Sequence, residues 1–94
     1  MELKDNTFAR QFETDHPSGR VYVEYAIQER NLFLTRITAP DGFDDEPFIQ
    51  ILIEAVLTEA EQRKNKVVPT FPKIAAFIKK NPQFKSLLPP GIKL

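Results

Sequence analysis

Cysteine is absent from this 94-residue chain, and histidine occurs once, as His16. The first absence excludes disulfides, thiolate nucleophiles and zinc–thiolate centres. The second leaves no multi-histidine metal site. No apolar run approaches the roughly 20 residues needed to span a bilayer. The polar start Met1-Glu2-Leu3-Lys4-Asp5 lacks the apolar stretch of a secretory signal, so a cytoplasmic protein without a membrane segment is expected. Acidic side chains are missing from the last third of the chain. All 13 lie at or before Glu61, whereas residues 62–94 carry Arg63, Lys64, Lys66, Lys73, Lys79, Lys80, Lys85 and Lys93.

What is present is ordinary for a globular protein: 41% hydrophobic, 28% charged, and zero formal net charge. One domain spanning 1–94 is expected, with a modest core. The uneven charge fits either an anion-binding face or plain segregation of solvated charges along a short chain.

The pattern predicts a short edge strand over Thr7–Phe12 and a turn at Asp15-His16-Pro17-Ser18-Gly19, where His16 is expected to be exposed. From Arg20 the alternation of Val21, Val23, Tyr25 and Ile27 with polar residues predicts a half-buried strand. A turn at Glu29-Arg30-Asn31 leads to a second strand, with Leu32, Leu34, Arg36 and Thr38 on one face, forming an antiparallel hairpin. A helix is predicted from about Pro47 to about Lys64, with a wide apolar stripe that includes Ile49, Leu52, Ile53, Val56 and Leu57. Lys66–Pro69 reads as a brief strand, and Thr70 as the cap of a second helix ending at Asn81-Pro82. The expected fold is α+β: a mostly antiparallel sheet with one long and one short helix packed on it.

The mouth of the long helix is Asp44-Asp45-Glu46-Pro47. Free N–H groups and the dipole make a helix start an anion site. Here three carboxylates fill that place and the proline removes a donor. Asp45 or Glu46 is expected to cap the helix, with Pro47 in an early helical position.

Val67-Val68-Pro69-Thr70-Phe71-Pro72, followed by Phe77-Ile78-Lys79-Lys80-Asn81-Pro82-Gln83-Phe84, resembles the closing segment of small single-domain GNAT-type N-acetyltransferases. In those proteins a strand ends in an Ile-Ile-Pro-x-Cys-Pro-like motif and a helix leads into a His-Pro-x-Tyr-like motif. Gly19–Ile27 and Ala39-Pro40 resemble further segments, so the likeness runs from about Gly19 to about Leu88. It implies acetyl transfer from acetyl-CoA to an amine, with the pyrophosphate held on a Gly-x-Gly loop at the start of the main helix. Those loop positions fall on Asp45, Glu46 and Pro47, beside Phe48 and Ile49. The family's cysteine falls on Phe71, the histidine of its His-Thr pair on Arg36, and a second histidine on Asn81. Each exchange removes the chemistry it replaces, because Phe71 is no nucleophile and a guanidinium is no base at neutral pH.

The resemblance therefore implies a divergent member lacking the Gly-x-Gly loop, with a degenerate acetyl-CoA site. Two further readings are an active enzyme that grips acetyl-CoA through the Phe48 and Ile49 amides and the basic tail, and a non-catalytic module that binds a protein or a second copy of itself. Glu24 is a candidate acid/base because strand carboxylates line the acceptor groove in many family members, and Tyr25, like Tyr22, is a candidate proton donor. Their bland counterparts are a solvated strand face and ordinary packing. Lys79 and Lys80, with Lys73 and Lys85, fit phosphate contacts or a helix C-terminus. No motif points to nucleic acid.

Overall fold

The computed structural model describes all 94 residues. Five strands, β1 (Lys4–Asn6), β2 (Gln11–His16), β3 (Gly19–Gln28), β4 (Asn31–Thr38) and β5 (Lys66–Pro69), form one sheet in the order of the chain. The first four are antiparallel, and β5 runs parallel to β4. Helix α1 (Glu46–Gln62) supplies the crossover between β4 and β5, α2 (Pro72–Lys80) follows, and a 3-10 segment covers Pro82–Leu87. This is the α+β arrangement the patterns predict.

The core lies between one face of the sheet and the helices. Phe12, Val21, Val23, Tyr25, Leu32, Leu34 and Val67 from the strands meet Ile49, Leu52, Ile53, Val56, Leu57 and Ala60 from α1 and Ile74, Phe77 and Ile78 from α2. The other face of the sheet has no helix on it. Cross-strand rows there run Asn6–Gln11–Glu24–Arg36 and Lys4–Glu13–Tyr22–Thr38. Glu13 in the second row is nonetheless buried, and accepts from Asn6 Nδ2 at 2.9 Å and Gln11 Nε2 at 2.6 Å.

Four local expectations are corrected. Thr7–Arg10 is a turn between β1 and β2, held by Ala9 N–H donating to Asn6 Oδ1 at 3.0 Å, so the strand expected at Thr7 starts only at Gln11. Asp15 and His16 belong to β2, which pairs His16 with Gly19, and only Pro17-Ser18 turns the chain. The alternation of β4 breaks at Thr35, an extra residue between the Glu24–Arg36 and Tyr25–Leu34 pairs, so Arg36 and Ile37 change faces relative to a regular strand. Thr70 does not cap α2. Its Oγ1 donates to the Leu34 carbonyl at 3.1 Å, and Phe71 occupies the N-cap position.

That last pair of contacts shapes the molecule. The parallel ladder stops at Leu34–Pro69, where Phe71 N–H also bonds Leu34 O at 3.2 Å. Beyond this point β4 continues to Thr38 while the chain after β5 turns away into α2. The two strands therefore diverge, and the gap opens toward the start of α1.

Candidate functional site

A cavity of about 360 Å³ occupies this gap. Ile37, Pro40, Ile49 and Phe71 give it apolar walls, and Asp41, Asp44 and Glu46 stand around it with Lys73. A second hollow of about 570 Å³, between the first turns of α1 and α2, shares Glu46, Phe71 and Lys73 with the first. Lys73 Nζ donates to both Glu46 carboxylate oxygens at 2.9 Å, so an ion pair ties the two helix starts together. That bond, and then the Gln50 side chain, hold the Glu46 carboxyl below its ordinary value against the effect of burial.

The mouth of α1 is closed by the chain itself. Glu46 N–H bonds Asp44 O at 3.0 Å, Pro47 has no N–H, Phe48 N–H donates to Asp45 Oδ1 at 3.2 Å, and Ile49 N–H bonds Asp45 O at 3.3 Å. Asp45 is thus the N-cap, as its position before Pro47 predicts. The Asp44 and Asp45 N–H groups have no partner in the chain.

The other carboxylate oxygen of Asp45 leads to a residue that sequence reading placed wrongly. His16 is not an exposed turn residue: its side chain is only 15% accessible. The ring packs edge-on against Phe43 and Phe48, each with a centroid separation of 4.7 Å. Ser18 N–H lies 3.1 Å from His16 Nδ1, and a backbone amide can only donate, so Nδ1 accepts. The ring proton of the neutral imidazole then sits on Nε2 and is donated to Asp45 Oδ2 at 3.0 Å. This bond first, and the Phe48 amide second, hold the Asp45 carboxyl below its ordinary value. Ser18 Oγ also lies 2.8 Å from Nδ1. The Ser–His–Asp sequence of contacts is a turn lock rather than a nucleophile site, because the Nδ1 lone pair is already engaged by the Ser18 amide.

The same clamp fixes the loop from Ala39 to Asp45. A Cβ on Gly19, which has φ +134°, would stand 2.9 Å from Pro40 Cγ, so hairpin and loop touch where only glycine fits. Loop, histidine and helix cap form one unit on the rim of the cavity.

The acid/base candidates lie elsewhere and apart from each other. Glu24 is on the helix-free face, where Thr38 Oγ1 donates to its Oε2 at 3.3 Å. Tyr25, the next residue, points into the core, with its ring 4.7 Å from Phe12 and its hydroxyl donating to Asp5 Oδ1 at 2.6 Å. Burial, and then the Asp5 contact, push the Tyr25 phenol up to about 12. It sits beside Arg63 at the end of α1 opposite the cavity. Tyr22 shares the outer face with Glu24.

Among the remaining positions, Phe71 lines both hollows, Arg36 neighbours Glu24 on the outer face, and Asn81 caps α2 by donating to Phe77 O at 2.9 Å. Lys79 and Lys80 occupy the last turn of α2, and Phe77 and Phe84 pack in the core, so the aromatic residues between the lysines are structural. Lys73 alone among these lysines reaches the cavity. Its role depends on the approach of two helices, which nothing in its local sequence signals.

The family model described as GCN5-related N-acetyl-transferase matches residues 11–87. A comparison with curated proteins finds no match. The matched span holds β2 through the 3-10 segment, including the whole cavity lining, and the chain belongs to the GCN5-related N-acetyl-transferase family.

Proposed function

We propose that this protein is a GNAT-fold domain whose acetyl-CoA site is degenerate, so that the gap between β4 and β5 no longer grips the cofactor's pyrophosphate. One observation carries the reading: the α1 amides at Glu46, Phe48 and Ile49 are bonded to Asp44 and Asp45, and Pro47 offers none. A phosphate at this mouth would meet carboxylates in place of amides, and would have to compete with the Glu46–Lys73 pair for the nearest cation. The Phe48 and Ile49 amides, which a non-standard grip would use, would first have to leave Asp45. Acetyl transfer to an amine would need both that release and a base, and the one carboxylate candidate on β3, Glu24, faces away from the cavity.

Titration of coenzyme A and acetyl-CoA by calorimetry, with chemical shifts of the Glu46–Ile49 amides followed by NMR, tests this. The expected result is no saturable heat and no amide shift through the micromolar range at physiological salt. Micromolar binding, or turnover of acetyl-CoA with a peptide or polyamine amine, would overturn it.

A further inference from the structure

We propose that Met1–Leu3 is a strap poised to close on the open edge of β2, held off by the like charges of Glu2 and Asp15.

The edge follows from the strand register. Pro17-Ser18 is a two-residue turn, so its closing pair, His16 and Gly19, exchanges both backbone bonds. Bond direction alternates from there along β2. His16, Thr14 and Phe12 bond toward β3, while Asp15, Glu13 and Gln11 point their N–H and C=O groups to the other side. On that side Gln11 meets Asn6 and Glu13 meets Lys4 of β1. Asp15 meets nothing, because β1 begins at Lys4.

The chain before Lys4 is placed to fill the gap. Carried back three residues, the β1 register sets Leu3 opposite Thr14, Glu2 opposite Asp15 and Met1 opposite His16. Leu3 already packs against the core, on the face the register requires of it. Met1 and Glu2 lie outside the strand, and share a hollow of about 340 Å³ with Thr14, Asp15 and Phe48. Closure would give Asp15 its two missing bonds. It would also lay Met1 beside His16 and Phe48, over the clamp that holds Asp45 at the mouth of α1.

Charge opposes the closure. Like charges directly opposite each other on neighbouring strands repel. Glu2, Glu13 and Asp15 line the hollow against only two cations, Lys4 and Arg20. Arg20 is divided between Glu13 at 3.4 Å and Asp15 at 3.7 Å, and Lys4 joins no ion pair. Bringing Glu2 onto Asp15 therefore adds a carboxylate where one is already in excess. Charge on an edge strand is also a device that keeps other chains from pairing with it. Here the same charge sets the position of the chain's own strap.

Amide hydrogen exchange followed by NMR at neutral pH tests this with charge reversals at two exposed side chains, which leave the core untouched. In the wild type the Asp15 amide should exchange as a free one. Glu2→Lys and Asp15→Lys each turn repulsion into attraction, and each should slow exchange at residue 15 by about tenfold or more. Each should also bring the α-protons of Met1 and His16 within reach of a nuclear Overhauser contact. The double variant Glu2→Lys/Asp15→Lys restores like charges and should return exchange to the wild-type rate. A wild-type amide already protected, single variants that exchange freely, or a double variant as protected as the singles would each overturn the proposal. Protection that rises with protein concentration would overturn it too, by showing that a second copy fills the edge.

Discussion

Asp45 does three things at once. One carboxylate oxygen caps α1, the other accepts the His16 ring proton, and the side chain occupies the place where an anion would approach. The capping role is legible in the sequence because it depends only on neighbours along the chain. The histidine contact is not, since 29 residues separate the partners and the loop must first fold back on the β2–β3 hairpin. The sign of the pH effect follows from the depressed Asp45 and Glu46 carboxyls. A carboxyl held below its unfolded value contributes stability above that value, and the contribution disappears as pH falls through the folded one. Thermal melts followed by circular dichroism should therefore show Tm falling on acidification from about pH 5 toward about pH 3. Asp45→Asn keeps an oxygen for the Phe48 amide but has no charge to lose, so its fall should be shallower. Asp45→Ala, with neither cap nor histidine acceptor, should melt below both at neutral pH, and superimposable curves for all three would contradict this account.

At the scale of elements, the long helix and β5 are legible because a broad apolar stripe and an apolar run bounded by proline are strong local signals. The β1–β2 hairpin is not, because Thr7-Phe8-Ala9-Arg10 has no glycine or proline and turns instead on an Asn6 side-chain bond and a left-handed Arg10. The break in β4 at Thr35 is equally hidden, since the extra residue is defined only against its partner strand. The start of α1 gives a test at this scale. Replacing Asp45 and Pro47 together by glycine returns flexible, unobstructed amides to the mouth. It also removes the cap and raises the entropy of the unfolded chain. Coenzyme A heats should then become measurable while Tm drops. A variant that loses stability without gaining any affinity would count against the proposed role of the mouth in excluding the cofactor.

The whole molecule is a five-stranded sheet closed on one face by α1 and α2, with Leu57 of α1 fully buried in the core between them. Leu57→Ala should lower the free energy of unfolding by about 2–5 kcal/mol. Ile27→Ala, at a side chain nearly half exposed, should cost much less. Urea unfolding curves for the two variants make the comparison, and equal losses would mean that the core is not where the packing places it. The sequence alone determined the class of fold, the α1 cap and the charges at the helix mouth, because periodicity and capping act over a few residues. Tertiary structure decided the rest. It buried His16 between Phe43 and Phe48, paired Lys73 with Glu46, and through the irregularity at Thr35 set Arg36 beside Glu24 on the outer face. It also set the Phe8 turn at the far end from the cavity. Those placements depend on how distant segments pack and on which side of a pleated strand each residue falls, and neither is encoded in any short stretch of the chain.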